Sequence, residues 1–153
     1  MQVSSKKAFT MLELIFVIVV IGILSAIAVP KFAATRDDAT ITKAIATIGA
    51  IRSAVATERQ KRILRGDFTP ITSLSNGGTG AITMFSNDAS GAANNVLEYP
   101  VPACSTGQRG CWSVSGTTYT YNMPTSGTVD FNISSSRFDC TNPSDANCKL
   151  LTQ

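Results

Sequence analysis

Apolar and polar positions divide the chain into three stretches with different periods. Residues 14–29 are apolar throughout, except for Gly22 and Ser25. Further on, apolar residues recur at Ile41, Ile45, Ile48, Ile51 and Val55, in steps of four, three, three and four. That spacing describes one face of an α-helix. Ala44 and Ala54 lie close to the stripe, and the other faces carry Arg36, Asp37, Asp38, Lys43, Arg52, Glu58 and Arg59. From Asp67 onward Ser, Thr, Asn and Gly dominate, and the period falls to two. Tyr119 and Tyr121 alternate with threonine; Val129, Phe131 and Ile133 alternate with polar residues. Alternation of this kind marks half-buried strands.

Phe9 to Val29 is 21 residues, about 30 Å as a helix and enough to span a bilayer. Lys6 and Lys7 precede it with no acid nearby. This predicts an N-terminus in the cytoplasm and everything after Pro30 outside. Pro30 removes a backbone donor and crowds the preceding turn, so a kink is expected there. The helix is expected to continue to near Arg62, for a length of roughly 80 Å. Lys61, Arg62 and Arg65 suit a solvated helix C-terminus, and Gly66 supplies a stop. Beyond it, residues 75–80 and 88–95 read as loops and 81–85 as a first strand. Residues 111–115, 117–123 and 128–133 read as successive strands, with turns at Gly116 and at 124–127. The fold class is therefore α+β: a long N-terminal helix packed on a small antiparallel β-sheet head of three or four strands. The stripe from Ile41 to Val55 is the natural seat for that sheet.

Charge and composition narrow the function. The net charge is +3 with 15% charged residues, so nucleic acid is not an expected partner. Without the first eight residues the balance falls to 11 basic against 10 acidic groups, which suits a chain that packs against copies of itself. Histidine is absent, removing the commonest general base and the commonest metal ligand together. No nucleophile–base pair or phosphate loop is visible, so neither enzyme activity nor a cofactor is expected. Asp139 and Asp145 are too few to argue a calcium site, and no metal is expected. The cysteines are Cys104, Cys111, Cys140 and Cys148, with six and seven residues between neighbours. Zinc and redox motifs use closer spacings. Disulfides fit better, given a head outside the cytoplasm. Trp112, beside Cys111, is expected to pack in the core.

Glu13 decides how the N-terminus is read. A plain membrane anchor leaves unexplained a carboxylate that costs about 2–3 kcal/mol near the start of a spanning helix. A secretory signal cut after Ala28 fits Ala26-Ile27-Ala28, but Glu13 interrupts its apolar region and Pro30 lies just past the cut. A third reading accounts for all of these residues. Lys6-Lys7-Ala8, then Phe9-Thr10-Met11-Leu12-Glu13, then the apolar helix with Gly22 and Pro30, closely resemble the precursors of type IV pilins and of type II secretion pseudopilins. The resemblance covers about Lys6 to Phe32. That family has a short basic leader, a cut just before an aromatic residue and a glutamate five residues into the mature chain. It usually has glycine before the cut; here Ala8 is small enough for the same peptidase site.

The resemblance implies a leader at 1–8, removed between Ala8 and Phe9, with methylation of the new Phe9 amine. It implies a transmembrane and assembly helix at 9–29, an amphipathic continuation at 30–66 and a β-rich periplasmic head at 67–153. Glu13 would pair with the Phe9 amine of another copy, removing the cost of two unpaired charges in lipid. Thr10-x-x-Glu13 also fits a capping box, so capping in the free subunit and pairing in the filament are both open. The segment from Gly22 to Pro30 would unwind on assembly. The implied partners are copies of the chain and other pilin-like subunits, prepilin peptidase, an inner-membrane assembly platform with its ATPase, and an outer-membrane secretin. The subunit would wait in the bacterial inner membrane before entering a periplasmic or surface filament. A small, plain head leans the expectation toward a secretion pseudopilus or a minor pilin. The alternative of another class is a small secreted binding domain released after Ala28.

Three disulfide connectivities are possible, and nearest-neighbour pairing is the expectation: Cys104–Cys111 and Cys140–Cys148. Gly107 and Gly110 let the first loop turn; Asn142-Pro143-Ser144-Asp145 does so for the second. The second bridge would resemble the C-terminal disulfide loop of many pilins, although in that family a bond more often joins distant segments. Asp130-Phe131-Asn132-Ile133-Ser134 contains an Asn-x-Ser sequon preceded by an acid. Because it falls in an expected strand, it reads as chance unless Asn132 is exposed.

Overall fold

A computed structural model describes residues 9–75, 82, 97, 99–101, 103–105 and 107–153. The elements run α1 (Met11–Leu64), β1 (Cys111–Ser115), β2 (Thr118–Asn122), β3 (Thr128–Ser134), β4 (Arg137–Cys140) and α2 (Ala146–Thr152). This is an α+β chain with a long N-terminal helix and a small antiparallel sheet. Contacts within the chain divide it into two compact units, Met1–Arg36 and Asp37–Gln153.

In the first unit α1 carries Pro30 inside it. In the second, α1 ends as the sequence requires. Gly66 takes φ +83°, which costs glycine little. Its N–H reaches the Ile63 carbonyl at 2.9 Å, and the Asp67 N–H reaches the Arg62 carbonyl at 2.9 Å. These two bonds make a Schellman stop and satisfy carbonyls that the helix end would leave open. The hydroxyls of Thr42, Thr47 and Thr57 each donate to the carbonyl four residues back, so the threonines hold their polar groups against their own helix.

The four strands follow one another in order β1-β2-β3-β4, each antiparallel to the next. Alternation sends Trp112, Val114, Tyr119, Tyr121, Val129, Phe131, Ile133 and Phe138 inward. Ala44, Ile48, Ile51 and Val55 of α1 join them in one core, with Ile41 and Ile45 half-buried at its margin. Trp112 sits 5.1 Å from the Tyr121 ring and 5.4 Å from the Phe131 ring. Phe131 and Phe138 stack at 5.1 Å. Polar contacts also register helix against sheet: Arg52 Nε donates to the Phe138 carbonyl at 2.9 Å, and the Tyr121 hydroxyl donates to the Thr40 carbonyl at 3.3 Å.

The structure differs from the sequence expectation in several places. The helix begins at Met11 rather than Phe9 and runs to Leu64 rather than Arg62. The second strand is shorter than 117–123, and the third is longer than 128–133 by Ser134. β4 and α2 were not expected. β4 forms because a two-residue turn, Ser135-Ser136, returns the chain beside β3 with Ser134 opposite Arg137. α2 forms because Asp145 caps it, its carboxylate accepting from the N–H groups of Asn147 and Cys148 at 2.9 and 3.1 Å. The expected strand 81–85 lies outside the described residues except for Ile82, which is buried and bridges to Val101. The expected leader 1–8 and loop 88–95 lie outside them as well, as does loop 75–80 apart from Ser75.

Candidate functional site

The chemistry singled out in the sequence sits at the start of α1. Thr10 precedes the helix, and its hydroxyl accepts the Glu13 N–H at 3.2 Å. Its carbonyl accepts the Leu14 N–H at 3.2 Å. Thr10 therefore caps α1, answering one of the donors that a helix start leaves open. The other half of a capping box is not made: the Glu13 carboxylate has no partner among the described residues. Glu13 is exposed, as are Phe9, Leu12, Leu14, Ile15, Phe16 and the large apolar residues that follow to Phe32. Phe9 is 81% exposed and Phe16 68%. So continuous an apolar surface, left uncovered by the described residues, is suited to meet lipid or other protein. One helix among the described residues is long and apolar enough to cross a membrane. Gly22 lies within that stretch with open space around its Cα, so its surface admits close approach by another backbone.

The head holds four cysteines in two bridges. Cys104 joins Cys111, and Cys140 joins Cys148; no cysteine is free. The first closes the loop that leads into β1, and the second ties β4 to α2. The pairing is between sequence neighbours in both cases.

Charged residues in the head pair with one another. Arg52 meets Asp139 at 3.0 Å, and Arg137 meets the other oxygen of the same carboxylate at 3.2 Å. Asp139, weighed in the sequence as a cation ligand, is thus neutralised by two guanidinium groups. Glu58 is buried, accepts from Arg62 at 3.2 Å and forms an ion pair with Arg65 at 3.6 Å. Arg62 itself is 3% exposed, which corrects its reading as part of a solvated helix end. It lies one turn beyond Glu58, and the ion pair lets both enter the interior. Arg59 donates to the carbonyls of Phe68 and Thr69 at 2.8 and 2.6 Å, holding down the chain that leaves the helix. Asp67 receives the hydroxyl and the N–H of Thr69. Those bonds, with Arg62 and Arg59 nearby, hold its carboxyl below the usual carboxylate range. Burial pushes the Tyr121 hydroxyl up. Among the described residues no group of three or more potential ligands converges as a metal site.

Comparison with known proteins meets the chain at the same end. Residues 3–29 match the model of the prokaryotic N-terminal methylation motif. The chain is 54% identical over 50 residues to the type IV narrow pilus major component PilA5 of Thermus thermophilus, covering 33% of this chain and 43% of the relative. It is 29% identical over 114 residues to the type IV major fimbrial protein FimA of Dichelobacter nodosus, covering 65% of this chain and 66% of the relative. The matches thus span less than two thirds of either relative's length. No solved structure gives a significant match.

Proposed function

From the premise that the chain is of the type IV pilin family, which its methylation motif and both relatives support, we propose that it is a filament subunit matured and assembled through its N-terminus. The motif and the apolar helix fit membrane anchoring followed by incorporation into a pilus filament. The relatives are named as pilus and fimbrial components, which are structural subunits and not enzymes.

In this proposal a prepilin peptidase removes residues 1–8, cutting between Ala8 and Phe9, and methylates the new Phe9 amine. The subunit rests in the inner membrane with the head in the periplasm. An assembly platform driven by an ATPase draws it into the filament, which leaves through an outer-membrane secretin. The segment 9–29 then packs against the same segment of other copies, covering the apolar surface that the described residues leave open. The observation that carries the proposal is the Glu13 carboxylate inside the matched motif, which has no partner among the described residues. In an apolar filament centre an unpaired carboxylate costs several kcal/mol, as does an unpaired ammonium. Pairing Glu13 of one copy with the Phe9 amine of the next cancels both and sets the axial step. Gly22 and Pro30 let the helix between them unwind as it enters.

Both relatives are major pilus or fimbrial components, so a pilus is preferred here to the secretion pseudopilus toward which the small head leaned. The match over residues 3–29 likewise favours this route over a domain released after Ala28. Glu13→Ala tests the assembly role. It is expected to abolish filaments while leaving maturation at Phe9 and the head's unfolding temperature unchanged. Thr10→Ala, which removes only the cap, is expected to cost about 1 kcal/mol of helix stability and still assemble. Normal filaments from Glu13→Ala would refute the pairing.

A further inference from the structure

We propose that Asn132 is an N-glycosylation site, modified before the head folds. Asn132-Ile133-Ser134 is an Asn-x-Ser sequon without proline, and Asp130 stands two residues before the asparagine. Within β3 the burial pattern alternates so that Asp130, Asn132 and Ser134 are exposed while Phe131 and Ile133 are buried. The three polar positions of the sequon therefore share one face of the sheet, opposite the core. The Asn132 side chain makes no hydrogen bond among the described residues. Its register partner Asp139 is held by Arg52 and Arg137 instead. A glycan on the Asn132 amide would extend into solvent without displacing a core side chain.

The donor class is an oligosaccharide linked through a diphosphate to a polyprenyl lipid. The Asn132 amide nitrogen forms a bond to the anomeric carbon of the first sugar. The bond from that carbon to the diphosphate oxygen breaks, and the lipid diphosphate leaves with the electron pair. The amide proton passes to a basic group of the transferase. Ser134 offers its hydroxyl to position the amide, and Asp130 offers a charge for a cationic side chain of the enzyme to recognise.

The position in the sheet sets the timing. β3 is an interior strand, with Asn132 between β2 on one side and β4 on the other. Its backbone groups are committed to the two ladders, so an enzyme cannot draw the segment into its own site once the sheet has closed. Transfer therefore precedes pairing of β3 with β4 and closure of the Cys140–Cys148 bridge.

This inference rests on the head lying outside the cytoplasm, as in the proposed function. The test is the intact mass and peptide map of the full chain purified from its native cell envelope. The expected result is a sugar mass on the peptide holding Asn132. That mass disappears completely in Asn132→Gln and in Ser134→Ala and persists in Ser134→Thr. A head of unmodified mass would overturn the inference, as would an addition that survives Asn132→Gln. The same spectrum reads the N-terminus, so an unmodified Asn132 beside a methylated Phe9 sinks this inference alone. Transfer to the purified native chain at the rate of the reduced, unfolded chain would overturn the timing.

Discussion

Glu58 and Arg62 take opposite charges into the interior, with side-chain exposures of 9% and 4%. Burial of each charge is supported by the other, and Glu58 also meets Arg65, so removing Glu58 takes a carboxylate away from a buried guanidinium. Glu58→Ala is expected to destabilise the head by roughly 3 kcal/mol, measured by denaturant unfolding. A loss below about 1 kcal/mol, as for a surface pair, would contradict the burial. Asp67 makes a different prediction. Its folded pKa lies below the unfolded value of 3.8, so its contribution is fully present above that value. It is lost as pH falls through the folded pKa. Stability should thus be insensitive to this group from pH 5 to 7 and decline below about pH 4. Thr69→Val, which removes the largest cause of the shift, should flatten that decline in an acid titration of the unfolding midpoint. Residues such as these show where sequence reading stops. Glu13 was legible because a carboxylate at the head of an apolar run is costly wherever the run lies. Arg62 was not, because its charge argues for solvent and only the fold brings the core over it.

The long helix and three strands could be read from their periods, since a five-position stripe and strict alternation both need consecutive buried positions. β4 and α2 offered no comparable run. β4 has four residues, too few for a period to show. Its turn is Ser135-Ser136, without the Asn-Gly or Asp-Gly that announces a tight hairpin. Both serines take left-handed backbone, at φ 50° and 63°, which L-residues adopt at a cost of about 1–2 kcal/mol each. Ser136 is compensated. Its hydroxyl accepts the Ile71 N–H at 2.9 Å, and its own N–H reaches the Ile71 carbonyl at 3.3 Å. Ser135 has no such bond among the described residues. Ser135→Asn is therefore expected to stabilise the head by about 0.5–1 kcal/mol, read as a rise in unfolding midpoint with an unchanged denaturant slope. A fall would mean that the turn is not of this type. α2 is a single capped stretch of seven residues. Its cue, Asp145, was read in the sequence as part of a turn and weighed as a cation ligand, not as a helix cap.

At the scale of the whole molecule the two ends of the chain satisfy different demands. The head is small, with about 87 residues after Gly66, and it completes its core with one face of α1 and two disulfides. Bridges closing short loops like these contribute about 2–3 kcal/mol each, a useful addition for a domain with little interior. The N-terminal stretch does the reverse and leaves its apolar surface open among the described residues, a surface that a bilayer or further copies would cover. The central claim is that the chain is matured before Phe9 and assembled through the end so created. The most direct test is the N-terminal residue and mass of the mature protein from cell envelopes. The account predicts a chain that begins at Phe9 with a methyl group on its amine. A chain beginning at Val29 would contradict it, leaving a head released from the membrane without the apolar segment that would build a filament.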